Sequence, residues 1–396
     1  MKEGWTYKKL GEITISMADG PFGSNMKAEH YTDHKEVRII QLSNIGEEGW
    51  REENVKYTTF EHLESIKRSE VQPDDIVIAK MMPAGRAILC PHHEKKYVLS
   101  SDAVRATLVE GVDKKFILYS INSPYFRKQV YANVSGSGRV RTSLTKLRDC
   151  SIPIPSLEVQ QRIVERLDAA FENIDKLKAN AGKQLAEAQT LFQKSLAKAM
   201  EPKEGWEEKT MSEITEVKDG THDSPKYVTE GIPFVTQKNI TINGVDLINT
   251  KKITLEDHKK FYTRSNVEFG DIIIAMIGAN RGMSCIVNTR EIFSIKNVGL
   301  IKKTDNINMR FLLYYLHSPA ANSYVLENSN GGAQEFIGLK GLRNFPIQFP
   351  SLAEQQRIVE RLDSLSENIR KYEEIQRQII SECDALKQAL LRKVFE

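Results

Sequence analysis

A nine-residue stretch, Gln160-Gln-Arg-Ile-Val-Glu-Arg-Leu-Asp168, returns without a single change as residues 355–363. With their flanks, residues 156–175 and 351–370 agree at 14 of 20 positions and align without a gap. Chance does not produce a match of this length, so we predict that the chain is a tandem duplication. Each copy is then expected to form the same structural element at an equivalent place.

The two repeats have recognisable starting points. Lys2-Glu-Gly-Trp5 reappears as Lys203-Glu-Gly-Trp206, and Pro202 lies at the junction. Short β-branched runs, such as residues 37–42 and 75–79, indicate strands in the first part of the repeat. A chain of 396 residues is expected to form roughly two or three domains, which agrees with two repeats of about 195 residues.

A long helix is predicted to close each repeat. Ser156 and Ser351 are suitable N-cap residues, and Glu354 completes a capping box in the second copy. Behind them apolar residues recur every three or four positions over about five heptads, which is typical of a coiled-coil seam. The predicted seam consists of Ile163, Leu167, Ala170, Ile174, Leu177, Ala181, Leu185, Ala188, Phe192 and Leu196, and of Ile358, Leu362, Leu365, Ile369, Tyr372, Ile379, Cys383, Leu386 and Leu390.

The connectivity determines how the two helices run. Each mixed region precedes its own helix, so the first helix ends where the second region begins and the helices must be antiparallel. We therefore predict an α+β fold, in which two mixed α/β domains are separated by a long antiparallel two-helix coiled coil with pseudo-two-fold symmetry. The predicted domains are residues 1–155 and 201–350, and the predicted spacer helices, each roughly 65 Å long, are residues 156–200 and 351–396.

Composition excludes some classes of protein. Lys and Arg number 56 and Asp and Glu 53, so the net charge is only +3 and any DNA-binding surface must be local. Four cysteines without a Cys-x-x-Cys pair argue against a zinc ribbon or a disulfide framework. The N-terminus lacks the apolar core of a signal peptide, and no run approaches the ~18 apolar residues of a membrane span. We expect a cytoplasmic protein that does not bind a membrane.

Enzyme signatures are nearly absent, since the chain has no phosphate loop, dinucleotide fingerprint, metalloprotease motif or nucleophile elbow. One formal exception is Asp74, Glu94 and Lys96, whose order is that of a Mg²⁺-dependent nuclease motif. The second repeat has no matching Glu-x-Lys, and a strand entrance followed by a solvated charge run is the simpler interpretation. His92-His93 would point to opposite faces of a strand and has no ligand cluster. We predict no catalytic residue and no metal site, and keep the nuclease as an alternative.

Polar loops differ between the repeats although their flanking residues stay in register. Asn44 and Asn239 agree and are predicted to form a turn, whereas Ser43 aligns with Lys238. A Gly-rich turn contains Gly138-Arg-Val-Arg141 in the first repeat and Ala333-Gln-Glu-Phe336 in the second. Arg suits guanine O6 and N7, whereas Gln suits adenine N6 and N7. The same scaffold would then read different bases, unless these are ordinary polar loops without a ligand.

The charged outer faces of the two helices are identical in the region of the nine-residue repeat. Such residues usually form a solvated face, but identical copies also suit two equivalent docking sites for a partner. The predicted partner-binding residues are Gln160, Gln161, Arg162, Glu165 and Arg166, and in the second copy Gln355, Gln356, Arg357, Glu360 and Arg361. A coiled-coil scaffold whose domains bind protein is a third hypothesis for the whole chain.

The doubled order of a Gly-rich loop, Leu-Arg, a Pro-punctuated segment ending in Ser-Leu, and Gln-Gln-Arg-Ile-Val resembles the specificity subunit of type I restriction-modification systems. Asp19-Gly-Pro-Phe-Gly-Ser24, Asp219-Gly-Thr-His-Asp-Ser-Pro225 and Ser101-Asp-Ala-Val-Arg105 also match that family. The resemblance covers nearly the whole chain. It implies two target recognition domains, each of which reads one half of a split double-stranded DNA site, joined by two long antiparallel helices.

The same resemblance implies partners that carry the chemistry. Two methyltransferase subunits, which use S-adenosylmethionine, would dock on the helices and recognition domains, and motor-nuclease restriction subunits would use ATP and Mg²⁺. The chain itself would hold no cofactor. The residues that we predict to contact DNA are Ser24, Asn25, Lys27, Gln41, Ser43, Lys80, Arg86, Ser137, Arg139 and Arg141 in the first repeat, and His222, Lys226, Thr236, Lys238, Asn280, Arg281 and Gln334 in the second.

Overall fold

The computed structural model of the chain describes residues 4–132, 141–330 and 335–396. The chain divides into two compact units, one formed by residues 1–182 with 377–396 and the other by residues 183–376. Each unit combines one mixed α/β region with parts of both long helices, so the division falls inside each helix and not at its start.

The first repeat begins with short strands and helices and closes with a long helix. Its strands are β1 (Thr6–Lys9), β2 (Thr14–Asp19), β3 (Val37–Ile40), β4 (Tyr57–Thr58), β5 (Glu70–Val71), β6 (Ile76–Ala79), β7 (Ala87–Leu89), β8 (Tyr97–Leu99), β9 (Ala103–Leu108) and β10 (Ser151–Ile154). Its helices are α1 (Phe60–Ser65), α2 (Lys114–Asn122), α3 (Pro124–Ala132), α4 (Leu144–Asp149) and the long α5 (Leu157–Ala199).

The second repeat follows the same plan. Its strands are β11 (Glu207–Thr210), β12 (Val217–Asp219), β13 (Ile232–Val235), β14 (Ile240–Thr241), β15 (Gly244–Val245), β16 (Lys251–Ile253), β17 (Ile272–Ala275), β18 (Ser284–Ile286), β19 (Ser294–Ile295), β20 (Val298–Ile301), β21 (Ser329–Asn330), β22 (Phe336–Ile337) and β23 (Pro346–Phe349). Its helices are α6 (Met211–Ile214), α7 (Leu255–Ser265), α8 (Met309–Leu316), α9 (Pro319–Glu327), α10 (Leu339–Arg343) and the long α11 (Leu352–Phe395).

The main sheets of the two repeats correspond strand by strand, and their mixed sheets correspond in part. An antiparallel sheet has the order β2-β9-β6-β7 in the first repeat and β12-β20-β17-β18 in the second. A smaller mixed sheet contains the parallel pair β3 and β8, or β13 and β19. Strands β6 and β17, with the sequences IVIA and IIIA, are buried along their whole length because neighbouring layers cover both of their faces. The predicted α+β class and the internal repeat are confirmed.

One buried glutamine ties each long helix to the mixed region before it. Gln160 Oε1 accepts a hydrogen bond from the backbone N–H of Asp113 at 2.9 Å, and its Nε2 donates to Pro155 O at 2.9 Å. Gln355 Oε1 accepts from the N–H of Asn308 at 2.8 Å, and its Nε2 donates to Pro350 O at 2.9 Å. Asp113 and Asn308 are themselves the N-caps of α2 and α8. The repeated motif therefore carries a structural joint as well as a helix.

Each unit also buries the far end of the other repeat's long helix. In the first unit, Phe395 near the end of α11 packs on Phe116 of α2, with ring centroids 5.3 Å apart, and Trp5 covers the same ring at 6.0 Å. In the second unit, Leu196 and Met200 at the end of α5 enter the core that contains Phe311 of α8. The two long helices therefore run antiparallel within each unit, as predicted.

The predicted seam is correct in part. Leu167, Ile174, Ala181, Ala188, Leu196, Ile358, Leu362 and Cys383 are buried, but Leu177, Tyr372 and Leu386 are exposed. The predicted seam also omitted Val164 and Val359, which are buried. Each of them packs in the core of a mixed region, where burial does not follow a strict heptad pattern. Among the residues that the structure describes, no helix has the length and apolar character needed to cross a membrane.

The buried glutamine joint predicts a large stability effect for a change that preserves size and helix propensity. Gln160→Leu should lower the free energy of unfolding by about 2 to 4 kcal/mol, because the N–H of Asp113 and the carbonyl of Pro155 lose their partners inside the protein. Urea denaturation of the full chain measures the change. Gln161→Leu, one residue further on the exposed face, is the control and should stay within about 0.5 kcal/mol of the wild type. Equal effects of the two substitutions would contradict this interpretation.

Candidate nucleic-acid interface

A polar groove lies beside the end of the main sheet in the first unit. It has a volume of about 590 Å³ and forms where β2 ends, β6 ends and β9 begins. Its lining consists of Asp19, Phe22, Gly23, Lys80, Ser101, Asp102, Arg141, Thr142, Ser143, Leu144 and Lys146. Two backbone hydrogen bonds hold its wall together, since the N–H of Lys80 donates to Asp102 O and the N–H of Thr142 donates to Lys80 O, each at 2.9 Å.

Two ion pairs set the electrostatics of this groove. Lys80 is buried, and its Nζ lies 2.5 Å from Asp19 Oδ1. The Arg141 guanidinium is half exposed and donates from Nη2 to Asp102 Oδ1 at 2.9 Å. Each cation therefore has a carboxylate beside it, and the groove offers directed donors and acceptors without a large excess of positive charge.

The second unit has the same backbone frame with different side chains. Strand pairing sets Asp19 opposite Val104 and Asp219 opposite Gly299, and isolated bridges join Met81 to Arg141 and Ile277 to Phe336. These registers make the following positions equivalent: Asp19 and Asp219, Lys80 and Met276, Asp102 and Asn297, and Arg141 and Phe336. The alignment of Arg141 with Phe336 that we predicted from the Gly-rich turn is confirmed.

The cation beside Asp219 comes from a different element than the cation beside Asp19. Arg264 of α7 donates to its two carboxylate oxygens at 2.7 and 2.8 Å. The ring of His222 lies between Asp219 Oδ2, 3.1 Å from its Nε2, and Asn297 Oδ1, 2.8 Å from its Nδ1. The carboxylate and its strand position are thus common to both units, whereas the groups around it are specific to each.

A close backbone approach explains the Asp-Gly pair at this place. A Cβ atom on Gly20 would lie 1.7 Å from Ser100 O, and one on Gly220 would lie 2.5 Å from Ile295 O. Real Cβ atoms do not approach oxygen so closely, so both positions need glycine. This constraint fixes the direction of the chain immediately after Asp19 and Asp219.

The turn after the parallel strand is structural, as predicted. Asn44 is buried, accepts from the N–H of Gln41 at 2.8 Å, and donates to Arg51 O and Glu53 O. Asn239 accepts from the N–H of Thr236 at 2.9 Å and donates to Asn249 O at 3.1 Å. The amide side chain replaces missing backbone partners in both copies. Next to it, Lys238 is exposed, whereas the Ser43 hydroxyl is buried without a hydrogen-bond partner in the described part of the chain.

The other predicted DNA-contacting residues fall into three groups. Those with exposed side chains are Ser24, Asn25, Lys27, Arg141, His222, Lys226, Lys238 and Asn280, and those that are partly buried are Gln41, Ser43, Arg86, Thr236 and Arg281. Burial lowers the pKa of Arg86, and its Nε donates to Pro83 O at 3.1 Å. Ser137, Arg139 and Gln334 lie outside the described residues.

Lys80 and Arg281 are not the free surface cations that the sequence pattern indicated, although their contact with DNA stays a prediction. Lys80 is not a free surface cation, because it is buried against Asp19. Arg281 is held inside its own loop, where it pairs with Glu335 and donates to Ser329 Oγ and Gly278 O at 3.1 Å each. Both residues organise the loops that surround them, which the sequence pattern does not distinguish from direct contact.

The predicted docking face is also smaller than the sequence indicated. Gln160 and Gln355 are buried and spend both polar atoms on the joints described above, so they are not available to a partner. The remaining residues, which are Gln161, Arg162, Glu165, Arg166, Gln356, Arg357, Glu360 and Arg361, are exposed. Within the described ranges, no hydrogen bond or ion pair engages the four arginine side chains of this set. The same cationic face is thus present twice.

A second feature that both repeats share links each long helix to its mixed region. Asp168 accepts from Tyr119 Oη and pairs with Lys115 at 2.7 Å, and Asp363 accepts from Tyr314 Oη at 2.6 Å and pairs with Arg310 at 2.6 Å. Burial and the neighbouring carboxylate together raise the pKa of Tyr314 to about 12. These two aspartates therefore orient α2 and α8 on the long helices, and the spacing of the tyrosines was the signal that sequence reasoning missed.

The residues of the alternative nuclease motif each have another partner. Asp74 contacts His92 at 3.0 Å and Lys114 at 3.2 Å, Glu94 accepts from Tyr57 Oη at 2.6 Å, and Lys96 pairs with Glu70 at 2.6 Å. No group of three potential metal-ligating side chains occurs among the residues with described positions. Burial raises the pKa of the Cys90, Cys150 and Cys285 thiols, which keeps them protonated and unreactive.

Comparison with known proteins gives one consistent result. The family profile of the type I restriction modification DNA specificity domain matches residues 2–186 and again residues 203–380. The specificity subunit of the type I restriction enzyme EcoBI from Escherichia coli is 22% identical over 370 residues, which are 82% of this chain and 73% of that protein. The EcoKI specificity subunit from Escherichia coli strain K12 is 21% identical and is covered over 89% of its length by the whole of this chain.

Solved structures show the same fold. A chain from a structure of the type I restriction-modification system superposes with a TM-score of 0.76 at 20% identity, and the match covers 100% of this chain and 98% of the other. The HsdS subunit from Thermoanaerobacter tengcongensis gives a TM-score of 0.59 at 19% identity, with 100% and 97% coverage.

The buried Lys80–Asp19 pair allows a specific test of the groove. Lys80→Met, which introduces the residue found at the equivalent position 276, should destabilise the chain by about 2 to 3 kcal/mol because Asp19 keeps its charge without its cation. Lys80→Met combined with Asp19→Asn should recover a large part of that loss. Asp19→Asn alone is the third variant of the cycle, and the free energies of unfolding of all three give the coupling between the two residues. Purely additive losses would refute that coupling.

Proposed function

Since the chain belongs to the family of the type I restriction modification DNA specificity domain, we propose that each of its two units reads one half of a split DNA site. In this proposal the chain is the DNA-recognition subunit, in keeping with a family that recognises DNA and does not catalyse the reaction. The two long helices, each of which contributes to both units, set the separation of the half-sites. Methyltransferase subunits carry out the chemistry on the bound DNA.

The observation that carries the proposal is one frame with two sets of side chains. Lys80, Asp102 and Arg141 surround the groove of the first unit, and Met276, Asn297 and Phe336 occupy the equivalent backbone positions of the second. Sequence is read by directed hydrogen bonds and apolar contacts to base edges, whereas phosphate contacts are common to all sequences. Different side chains on a common frame are what two different half-sites require.

Identical docking of two methyltransferase subunits is supported by the other part of the repeat. Arg162 and Arg166, and their counterparts Arg357 and Arg361, project from the same faces of α5 and α11 and are exposed. A face that is the same in both copies suits two copies of one partner, just as the different grooves suit two different half-sites. Arginine at the rim of an interface favours a complementary acidic patch on the partner.

Cofactors belong to the partners in this proposal. The methyltransferase subunits bind S-adenosylmethionine, and restriction subunits, which act as motors and nucleases, use ATP and Mg²⁺. A base that is to be methylated must leave the stack, so the duplex has to be held by contacts other than those of the methyltransferase pocket. The two recognition units supply such contacts on either side of the target.

The alternative functions are less well supported. The nuclease motif is dispersed among other ion pairs, as described for Asp74, Glu94 and Lys96. A scaffold that binds only proteins would not explain why one backbone frame carries Lys80, Asp102 and Arg141 in the first unit and different side chains in the second. Purified chain that fails to cut DNA in Mg²⁺, yet selects one split sequence when assembled with methyltransferase subunits, would exclude both alternatives.

Exchange of one recognition unit tests the division of labour between the two. Replacement of residues 1–155 by the corresponding region of another family member should change one half of the methylated site and leave the other half intact. Genome-wide mapping of methylated bases, in cells that express the chimera with its methyltransferase, gives the site directly. Replacement of residues 201–350 is the reciprocal control and should change only the other half. A change in both halves from either exchange would contradict two independent readers.

The docking face can be tested by charge reversal. Arg162→Glu with Arg166→Glu should remove one methyltransferase subunit from the complex, and the same changes at Arg357 and Arg361 should remove the other, because the exposed pairs lose their attraction for an acidic patch. Native mass spectrometry of the reconstituted complex counts the subunits. Lys194→Glu, at another exposed position of α5, is the matched control and should leave both bound. An unchanged count in both double variants would place docking elsewhere.

A further inference from the structure

Asp102 and Asn297 occupy equivalent positions, and each contacts another side chain of its own unit. Asp102 accepts from Arg141, and Asn297 contacts His222. We propose that Asp102 is a positioning residue that orients Arg141 to read a guanine in the first half-site. The inference rests on the proposed function and adds to it the residue pair, the kind of base and the half-site. Asp102 was not among the residues that the sequence pattern selected.

The first argument is the geometry of the pair. Arg141 Nη2 donates to Asp102 Oδ1 at 2.9 Å, and both residues line the groove. Backbone contacts hold both residues in place, because Met81 and Arg141 form a β-bridge, the N–H of Thr142 donates to Lys80 O, and the N–H of Lys80 donates to Asp102 O. Acid and base thus come from neighbouring backbone segments that are hydrogen-bonded to one another.

The second argument concerns the entropy of an arginine side chain. A free arginine has many rotamers, and immobilising it on DNA costs conformational entropy. A carboxylate that engages one edge of the planar guanidinium fixes its plane before DNA arrives. A guanidinium held in this way can present two parallel N–H groups to O6 and N7 of guanine. Asp102 therefore acts on discrimination through Arg141 and needs no contact with DNA of its own.

The third argument is an unpartnered polar group in the same groove. Thr142, next to Arg141, is 4% exposed, and its Oγ1 has no hydrogen-bond partner in the part of the chain that the structure describes. Buried hydroxyl groups without a partner are uncommon in folded proteins. Thr142 lines the groove, so this unpaired hydroxyl lies directly behind the groove surface, next to Arg141.

The fourth argument comes from the second unit, where both members of the pair are exchanged together. Phe336 replaces Arg141 and Asn297 replaces Asp102, although the bridge from Ile277 to Phe336 preserves the backbone frame. Asn297 contacts the ring of His222 at 2.8 Å instead. A carboxylate is present where there is an arginine to hold, and an amide is present where there is none. This is the pattern expected of a positioning residue.

The experiment compares Arg141→Ala, Asp102→Asn and the double variant in the complete methyltransferase complex. For each, binding is measured on the cognate duplex, mapped beforehand by methylation, and on duplexes with single base changes. Arg141→Ala should reduce discrimination about 5- to 150-fold at one guanine of one half-site, the range that corresponds to about 1 to 3 kcal/mol. Asp102→Asn should reduce discrimination at that same guanine by about fivefold or more, and the other half-site should be unaffected.

Coupling separates positioning from general damage. The double variant should be no worse than Arg141→Ala alone, because Asp102 has nothing to hold once the arginine is gone. Asp102→Glu, which keeps the carboxylate, should retain part of the discrimination. Asp149→Asn removes the carboxylate of the exposed Lys9–Asp149 pair, 2.9 Å long and outside the groove, and should change nothing.

Three results would overturn the proposal: an Asp102→Asn effect that is equal on all duplexes, an effect at another base than that of Arg141→Ala, or effects that multiply in the double variant. The failure of the proposed function has a different signature. In that case the wild-type complex would show no split sequence at all, and no variant would be needed to see it.

Discussion

The buried amide of Gln160, and that of Gln355 in the second copy, connects the mixed domain to the helix in each repeat. One oxygen accepts the N–H at the start of α2 or α8, and one nitrogen donates to the proline carbonyl that precedes the long helix. Hydrogen bonds are directional, so a buried amide that makes two of them fixes the angle between the long helix and the mixed region and also stabilises their contact. The orientation of each mixed region relative to its own long helix depends on this angle. Apolar packing around Phe116 and Phe311 stabilises the joint, but packing alone tolerates rotation more readily than two hydrogen bonds do.

Much of the architecture could be predicted from the duplication, because residues that recur in both copies indicate elements that both copies form. The two long helices, their antiparallel course, the mixed domains and the Asn44 and Asn239 turns all follow from shared residues. What the sequence did not reveal is which shared polar residues face inward. Gln160 and Asp168 lie within the identical nine residues and read as surface positions by periodicity, yet one is buried and the other is bound to Tyr119. Helical periodicity locates apolar faces, and it has no means to identify a polar side chain whose partner comes from a distant part of the chain.

The residues predicted to contact DNA show that the sequence also does not reveal which exposed-looking polar side chains have partners within the protein. Arg281 and Lys80 are residue types that often contact DNA. In this structure Arg281 binds groups of its own loop, and Lys80 pairs with Asp19. Asp102 and Asn297 were unremarkable in the sequence, since a single acidic or amide residue in a turn carries no pattern. Only the strand register, which sets both residues at one position of the frame, makes their difference meaningful. If Asp102 positions Arg141 as we propose, the residues that read a base form a pair that is distant in sequence.

The balance of charge around Asp19, Asp102 and Asp219 agrees with a net charge of only +3 for the whole chain. Lys80, Arg141 and Arg264 each have a carboxylate within hydrogen-bond distance. A neighbouring carboxylate weakens the long-range attraction for phosphate, which is the same for every sequence, while the donors keep their direction. The ratio of specific to non-specific binding then rises at the expense of total affinity.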